Sequence, residues 1–400
     1  MSGDEGGEMT EAAPVLQLEN EDLLADSFRR LPALPSSLLR ASLVCKLWGR
    51  VVADPRFLRE FHAHHRKAPL LGFFSRDRDS AGRVEFSPIL DPPDRIPASR
   101  FSLQITRNSR VLHCRHGRLL IYSPEEQRLL VWDPVTGDLR RLALPPALDG
   151  KAIIDGGVVC TSTEQGHVHG ACHSDPFQVV VVAGESARYY GCAYSSETRT
   201  WGNLLSVQRG LGGLIPSPTC PSTMFRNSIC LLLIGIKPVI LQFDWARQNL
   251  ALIDTPLDAH DFRAIFCGDQ QVLITSADNG GLSFILLEVF SVQVWNRTMS
   301  HGDGVATWIL GKTIELHKSL PLIGPTGLLF ILGLDEDGNV LFKLTDGNLV
   351  MIVDLESMKC KKLPQEMDYV FCTPFSSFYT PGIHVNNAGR DAEAQIFDGA

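Results

Sequence analysis

Apolar side chains recur at intervals of three and four residues along the first part of the chain, up to about residue 70. This spacing places them on one face of a helix. Three helices are predicted in this way, and their apolar faces are Leu23, Leu24, Phe28 and Leu31 in the first, Leu38, Leu39, Leu43 and Val44 in the second, and Leu47, Trp48, Val51 and Val52 in the third.

A fourth helix is predicted from a different signal. Asp54 is followed by Pro55, and an N-cap aspartate before a proline is typical of a helix start. Phe57, Leu58, Phe61 and His65 then fall on one side of this helix, which is expected to end at Ala68-Pro69.

The pattern changes after about residue 70, where short β-prone runs alternate with polar turns. Four such segments are residues 117–145, 192–205, 239–254 and 348–364, with turns near Asp133, Ser195, Asp244 and Asp354. The turns are separated by 62, 49 and 110 residues, and the last step equals two shorter ones. A hairpin that recurs about every 50 residues is typical of a β-propeller or kelch-like array. About six blades are expected on this spacing.

The sequence therefore predicts an α+β multidomain protein, in which a small all-α domain of three to four helices precedes a large all-β, β-propeller-like domain. The expected boundaries are a disordered acidic segment at 1–14, the helical domain at 15–68, the β domain at 69–382 and a disordered tail at 383–400.

Composition and charge narrow the possible partners. The 400 residues are 44% hydrophobic and 20% charged, which is ordinary for a globular protein. The net charge of −8 gives no reason to expect nucleic-acid binding. Residues 15–70 carry nine Lys and Arg against six Asp and Glu, a net +3. This excess suits an acidic partner, although a solvated charged face is the commoner explanation of such a pattern.

No membrane or secretory segment is expected. The first fourteen residues lack a basic start and an apolar core, so they do not resemble a signal peptide. The longest apolar run, ICLLLIGI at 229–236, is too short to span a bilayer. The ten cysteines include no C-x-x-C pair and indicate reduced thiols, so a cytoplasmic or nuclear location is expected.

Candidate metal chemistry is concentrated in the segment GHVHGACH, which contains His167, His169, Cys172 and His173. On a strand, His167 and His169 would lie on the same face and could chelate a metal. However, no clear second ligand pair follows, so the expectation is a strand with a turn at Gly170 and no metal. The segment HCRHG (113–117) is likewise not expected to be a site, and FHAHH (61–65) is expected on a helix surface.

Catalytic motifs are not found in the sequence. The chain has neither a G-x-S-x-G nucleophile elbow nor a phosphate-binding G-x-x-x-x-G-K-[ST] loop. Asp335 and Asp337 lie in the turn-like LDEDGN, but Asp346 stands where a calcium loop needs glutamate. We therefore expect no enzymatic activity and no cofactor.

Residues 18–74, LENEDLLADSFRRLPALPSSLLRASLVCKLWGRVVADPRFLREFHAHHRKAPLLGFF, resemble an F-box, particularly that of the large plant, grass-type family. The shared order is an acidic-LL start, R-L-P, S-L-L-R-A-S-L-V-C-K-x-W and a D-P-x-F-L-R end. Downstream segments are similar to the F-box-associated β domain of those proteins: DPPDRIPASRFSL (91–103), CRHGRLLI (114–121), VWDPVTGD (131–138), QGHVHGACHSDPF (165–177) and DLESMKCKKLP (354–364).

The resemblance implies a non-catalytic substrate receptor of an SCF-type cullin–RING ubiquitin ligase. Its F-box would bind a Skp-type adaptor and through it a cullin, while the β domain would bind an unidentified target protein. The adaptor-binding residues implied by the resemblance are Leu18, Leu23, Leu24, Phe28, Leu31, Pro32, Leu38, Leu39, Val44, Cys45, Trp48 and Val51. Of these, Trp48 is expected mainly in the core, and Leu23, Leu24, Leu38 and Leu39 are expected to be shared with the adaptor.

Two positions depart from the family pattern. Leu18-Glu19 stands where many members have Leu-Pro, and Ser27 stands where an aliphatic residue is usual. These departures leave open an F-box-like interaction protein that acts outside a ligase. A kelch-like propeller enzyme is a further alternative, which would need a metal or cofactor site.

Overall fold

Four helices form the first part of the chain, as predicted. They are α1 (Ala13–Arg29), α2 (Pro35–Ser42), α3 (Lys46–Ala53) and α4 (Pro55–His65). The Asp54 carboxylate accepts a hydrogen bond from the Arg56 N–H at 2.8 Å, which confirms the predicted N-cap. The fourth helix ends earlier than expected, because Arg66 has a left-handed backbone (φ 61°) and terminates it before Ala68-Pro69.

The computed structural model describes residues 13–75, 82–208, 214–217, 220–235, 237–256, 270–277, 281–299, 306–320, 328–345, 349–363 and 372–382, with side chains from residue 21 onward. The segments predicted to be disordered, 1–14 and 383–400, lie outside these residues except for Ala13 and Pro14, which begin α1. No helix in the described part of the chain is long and apolar enough to cross a membrane.

The chain divides into two compact units. The helical unit comprises the chain up to Pro69, the segment Thr163–Ser174 and the chain from Phe378 onward. The β unit comprises Leu70–Ser162 and Asp175–Ser377.

The β unit is a six-bladed propeller, which confirms the predicted fold class and blade number. Within the described residues, its strands form six antiparallel sheets and one separate two-stranded pair. Blade 1 contains β1 (Leu70–Ser75), β3 (Phe86–Pro88) and β27 (Cys372–Ser376), and the separate pair is β2 (Arg83–Val84) with β4 (Leu103–Gln104). Blade 2 contains β5 (Arg110–Arg115), β6 (Arg118–Ser123), β7 (Arg128–Trp132) and β8 (Leu139–Ala143).

The remaining blades follow in chain order. Blade 3 contains β9 (Ala152–Cys160), β10 (Phe177–Glu185), β11 (Arg188–Ser195), β12 (Thr200–Trp201) and β13 (Leu205–Gln208). Blade 4 contains β14 (Ile215–Pro216), β15 (Thr223–Phe225), β16 (Ser228–Ile234), β17 (Val239–Asp244) and β18 (Asn249–Asp254). Blade 5 contains β19 (Gln270–Ser276), β20 (Leu282–Glu288), β21 (Ser291–Met299) and β22 (Ala306–Glu315), followed by the short helix α5 (Leu316–Ser319). Blade 6 contains β23 (Leu329–Leu334), β24 (Val340–Leu344), β25 (Leu349–Val353) and β26 (Cys360–Lys362).

The core of the propeller lies between neighbouring blades. Successive side chains of a strand point to opposite faces of its sheet, so a central blade strand needs apolar residues on both faces. In β10, Val179 and Val181 belong to a cluster with blade 2, whereas Val180 and Val182 belong to a cluster with blade 4. This arrangement explains why the central strands are continuous apolar runs rather than alternating ones.

Candidate protein-docking surface

The helical unit has a core of its own. Its buried members are Phe28, Leu38, Ala41, Val51, Val52, Phe57, Leu58 and Phe61. Trp48 packs against this cluster, with its ring edge-on to Phe28 at a centroid distance of 4.8 Å. Apolar residues of all four predicted helices therefore meet in one cluster.

The structure separates the twelve predicted adaptor-binding residues by exposure. The buried ones are Phe28, Leu38 and Val51; the half-buried ones are Leu24, Leu31, Leu39 and Trp48; the exposed ones are Leu23, Pro32, Val44 and Cys45. Leu18 lies in α1, but its side chain is outside the described residues. Leu38 was expected to be shared with a partner, yet its side chain is only 2% exposed and serves the core.

Among the described side chains of the helical unit, three large aliphatic ones are exposed to solvent. Leu23 is 68% exposed, Leu43 is 76% exposed and Val44 is 60% exposed. We call these three residues the exposed apolar set. Single exposed aliphatic residues are common on proteins. Two consecutive, highly exposed ones, Leu43 and Val44, are a stronger indication of a binding surface.

Leu43 was not among the predicted adaptor-binding residues. The sequence pattern placed it on the buried face of the second helix, but α2 ends at Ser42 and Leu43 is its C-cap residue. The spacing did indicate that Leu43 lies off the buried face. It is five positions after the buried Leu38, which places it about 140° away around a helix.

The sequence around Leu43 and Val44 is positively charged, whereas Leu23 follows the acidic Glu21 and Asp22. Residues 27–53 contain Arg29, Arg30, Arg40, Lys46 and Arg50 and no acidic residue. Arg29 and Arg30 pair with Asp26, and Arg50 lies 3.6 Å from Glu21. Arg40 and Lys46 are exposed on either side of Leu43 and Val44 in sequence. An acidic partner would therefore meet complementary charge here.

Ser27, one of the two departures from the family pattern, is exposed on α1. Its hydroxyl donates a hydrogen bond to the Leu23 carbonyl oxygen at 2.9 Å, so the helix backbone satisfies it. Ser27 therefore leaves no gap in the core of the helical unit. The side chain of Glu19, the other departure, is outside the described residues.

The β unit contains a cavity of about 190 Å³ that is lined by residues of several blades, among them Arg115, Met224 and Glu336. The Arg115 guanidinium donates to the Met224 carbonyl oxygen at 2.5 Å and to His116 Nε2 at 3.2 Å. Burial lowers the pKa of Arg115, and the nearby Glu336 carboxylate acts in the opposite direction. The cavity therefore has a mixed polar and apolar lining and contains a half-buried cation.

The segment HCRHG lies at this cavity as the turn between β5 and β6. His116 (φ 54°) and Gly117 (φ 79°) have left-handed backbones that allow the tight turn. The His116 N–H donates to Glu336 at 2.7 Å, and His116 Nδ1 accepts from the Cys160 N–H at 3.0 Å. His116 thus connects blades 2, 3 and 6.

Two other predictions about histidine segments need correction. His167 and His169 are not on a strand, because the chain forms consecutive turns with left-handed Gly166 (φ 81°) and Gly170 (φ 89°). Of the three histidines in FHAHH, only His64 is exposed like a typical helix-surface residue. His62 is half-buried, with its ring 4.2 Å from that of Phe378.

Comparison with known proteins gives partial similarities. No protein-family model matches the chain. The F-box protein ETP2 of Arabidopsis thaliana is 31% identical over 137 residues, which cover 31% of this chain and 33% of that protein. Putative F-box only protein 9 of Arabidopsis thaliana is 29% identical over 131 residues, which cover 30% of this chain and 32% of that protein. The matched region thus spans about a third of the length of these curated relatives.

Solved structures resemble the chain only distantly. A catalytically inactive virginiamycin B lyase from Staphylococcus aureus, with quinupristin, has a TM-score of 0.36 at 11% identity, covering 74% of this chain and 85% of that one. The Dos1 propeller has a TM-score of 0.38 at 12% identity, covering 74% and 68%. The propeller assignment therefore rests on the strand pairing of the chain itself. At the level of sequence, the chain is similar to plant F-box proteins over part of its length.

Proposed function

We propose that this chain is a non-catalytic substrate receptor of an SCF-type ubiquitin ligase. The helical unit binds a Skp-type adaptor, which connects it to a cullin, and the propeller binds a target protein that a partner enzyme ubiquitinates. The partial similarity to plant F-box proteins supports the general role.

The observation that carries the proposal is the exposed apolar set. The helical unit already buries a complete core, yet Leu23, Leu43 and Val44 stay in solvent. Burying one such side chain stabilises an association by about 1.5–3 kcal/mol. The exposed cations Arg40 and Lys46 beside Leu43 and Val44 would favour an acidic adaptor surface.

The test is adaptor binding by the full chain. We expect the wild type to co-purify with a Skp-type adaptor, and the double variant Leu43→Asp/Val44→Asp to bind at least about 100-fold more weakly by calorimetry. Both positions are exposed, so the variant is expected to keep the unfolding midpoint of the wild type. Ile309→Asp is the matched control, because Ile309 is also an exposed aliphatic residue but lies on β22 of the propeller.

Two results would contradict adaptor binding: a wild-type chain that does not bind any Skp-type adaptor, or a Leu43→Asp/Val44→Asp variant that binds as tightly as the wild type. A wild-type chain that binds the adaptor but is not recovered with a cullin would instead point to an interaction protein outside a ligase.

The proposed location is the cytoplasm or nucleus. Cys192 and Cys220 are buried free thiols, and burial raises the pKa of each to about 12. Neutral, buried thiols of this kind act as small apolar core residues and are typical of reducing compartments.

A further inference from the structure

Three side chains with metal-binding atoms lie together in the segment Thr163–Ser174 of the helical unit. His167 Nε2 is 3.3 Å from His169 Nδ1. The ligand atoms of His167, His169 and Cys172 all lie within 4.8 Å of one another. Cys172 is buried, His167 is half-buried and His169 is exposed, so the cluster has a closed side and an open side.

The backbone fixes the positions of these residues. The His167 N–H donates to the Glu164 carbonyl oxygen at 3.1 Å, and the Ala171 N–H donates to the Val168 carbonyl oxygen at 3.2 Å, which closes two successive turns. The Gly170 carbonyl oxygen accepts from the Phe378 N–H at 3.0 Å, so the second turn is attached to another part of the helical unit. The three ligands therefore lie on a loop whose turns are held by backbone hydrogen bonds.

The distance between the two imidazole nitrogens fits tetrahedral zinc. With Zn–N bonds of about 2.0–2.1 Å and Zn–S bonds of about 2.3 Å, two nitrogen ligands lie about 3.3 Å apart and a nitrogen and a sulfur about 3.6 Å apart. The separation of the His167 and His169 nitrogens equals the first value. Imidazole and thiolate are ligands that zinc prefers, whereas calcium and magnesium require oxygen.

We propose that His167, His169 and Cys172 bind a zinc ion. On binding, the Cys172 thiol gives its proton to solvent and the thiolate sulfur bonds to the metal, while both imidazoles bind in their neutral form. The ion adds a link between the two turns. This inference is independent of adaptor binding, because none of the three ligands belongs to the exposed apolar set.

The first measurement is the metal content of the untagged full chain, purified without chelator and dialysed against zinc-free buffer. We expect about one zinc per chain by mass spectrometry. The variant His167→Gln/His169→Gln should retain less than roughly a tenth of the wild-type zinc. His64→Gln, an exposed histidine of α4, and Cys360→Ser, a half-buried cysteine of β26, are matched controls that should keep the wild-type content.

The second measurement uses Co²⁺ alone and needs only the wild-type chain to fold. The chelated chain is titrated with Co²⁺, which should give the intense visible bands of tetrahedral cobalt and a sulfur-to-cobalt charge-transfer band. Cys172→Ser should lose the charge-transfer band, with circular dichroism as a check of folding. A simple hydrogen bond between the two imidazoles, without a metal, predicts no zinc and no tetrahedral cobalt spectrum in the wild type. Either result would overturn the site, as would a charge-transfer band that persists in Cys172→Ser.

Discussion

His62 illustrates how a single side chain in the helical unit departs from what its sequence context suggests. Its ring packs 4.2 Å from that of Phe378, and the side chain is half-buried although it lies in a run of histidines on α4. Burial, together with the charges of His173 and His65, lowers the pKa of His62 from 6.5 to about 4. The ring is therefore neutral in the folded protein at neutral pH.

This shift predicts a pH-dependent loss of stability. Below pH 6.5 the unfolded chain takes up a proton at His62, whereas the folded chain does so only near pH 4. The free energy of unfolding should therefore be highest above pH 6.5 and fall as the pH decreases towards 4. At about pH 5 the His62 contribution to this loss should be about 2 kcal/mol.

The measurement is urea unfolding of the protein between about pH 7 and about pH 5, followed through the circular dichroism of its helices. His62→Gln cannot titrate, so its free energy of unfolding should fall less over this range than that of the wild type. His64→Gln removes an exposed histidine of the same helix and should leave the wild-type pH dependence in place. If His62→Gln shows the same pH dependence as the wild type, the neutral buried ring is ruled out.

At the scale of elements, the same type of turn, started by an aspartate, follows strands in several blades of the propeller. Asp133, Asp244, Asp335 and Asp354 each end or directly follow a strand, and a carboxylate oxygen of each accepts a backbone N–H two to four residues later. An aspartate in this role competes with strand continuation and starts a turn. The sequence therefore located these hairpins correctly at Asp133, Asp244 and Asp354, because their signal is local, and the turn predicted near Ser195 is also present between β11 and β12.

Other elements lack such a local signal. The alternation of His167 and His169 fitted a strand, but the backbone at Gly166 and Gly170 turns instead, and glycine tolerates both conformations. Likewise, helical spacing identified the apolar residues of α2 but did not show that the helix stops before Leu43. The end of the helix therefore decided which apolar residues are exposed to solvent.

These turns differ in burial, so removing the aspartate should lower the free energy of unfolding by different amounts. Asp133 is almost fully buried and accepts from the Val135 and Thr136 N–H groups at 3.0 and 3.2 Å. Asp133→Ala should lower the free energy of unfolding by about 1–3 kcal/mol, because two hydrogen bonds to a buried carboxylate are lost. Asp354 is more exposed, and water can replace its bonds, so Asp354→Ala should cost less than about 1 kcal/mol.

Urea unfolding, followed through the circular dichroism of the strands, measures the loss of unfolding free energy in both variants. Asp133→Asn keeps a carbonyl acceptor and should recover most of the stability that Asp133→Ala loses. Equal losses in Asp133→Ala and Asp354→Ala would show that burial does not determine the contribution of this turn.

At the scale of the whole molecule, the least local feature is blade 1. Blades 2 to 6 are each built from consecutive strands, whereas β1 pairs with β27 from the other end of the β unit, with Leu70 opposite Ser376. No periodicity connects these two segments, so the sequence predicted a propeller of about six blades but not which strands close it. The closure depends instead on side-chain packing between distant segments.

Phe375 of β27 is the residue that most directly holds this closure. Its side chain is fully buried, and its ring centroid lies 5.2 Å from Phe74, 5.4 Å from Phe101 and 6.0 Å from Phe86. Phe375→Ala should lower the free energy of unfolding by about 3–5 kcal/mol, as expected for a large buried aromatic residue. Phe284→Ala, at a fully buried position of blade 5, is the matched control and should cost a similar amount.

The two variants should differ in where the fold opens. Because β27 is held by pairing and packing with distant strands, Phe375→Ala should free it while the other blades stay folded. Native-state hydrogen exchange read by mass spectrometry should then show fast exchange of Cys372–Ser376 in Phe375→Ala and protection of that strand in Phe284→Ala. If β27 exchanges at the same rate in both variants, its opening is coupled to global unfolding, and the aromatic cluster does not act as a separate closure of the ring.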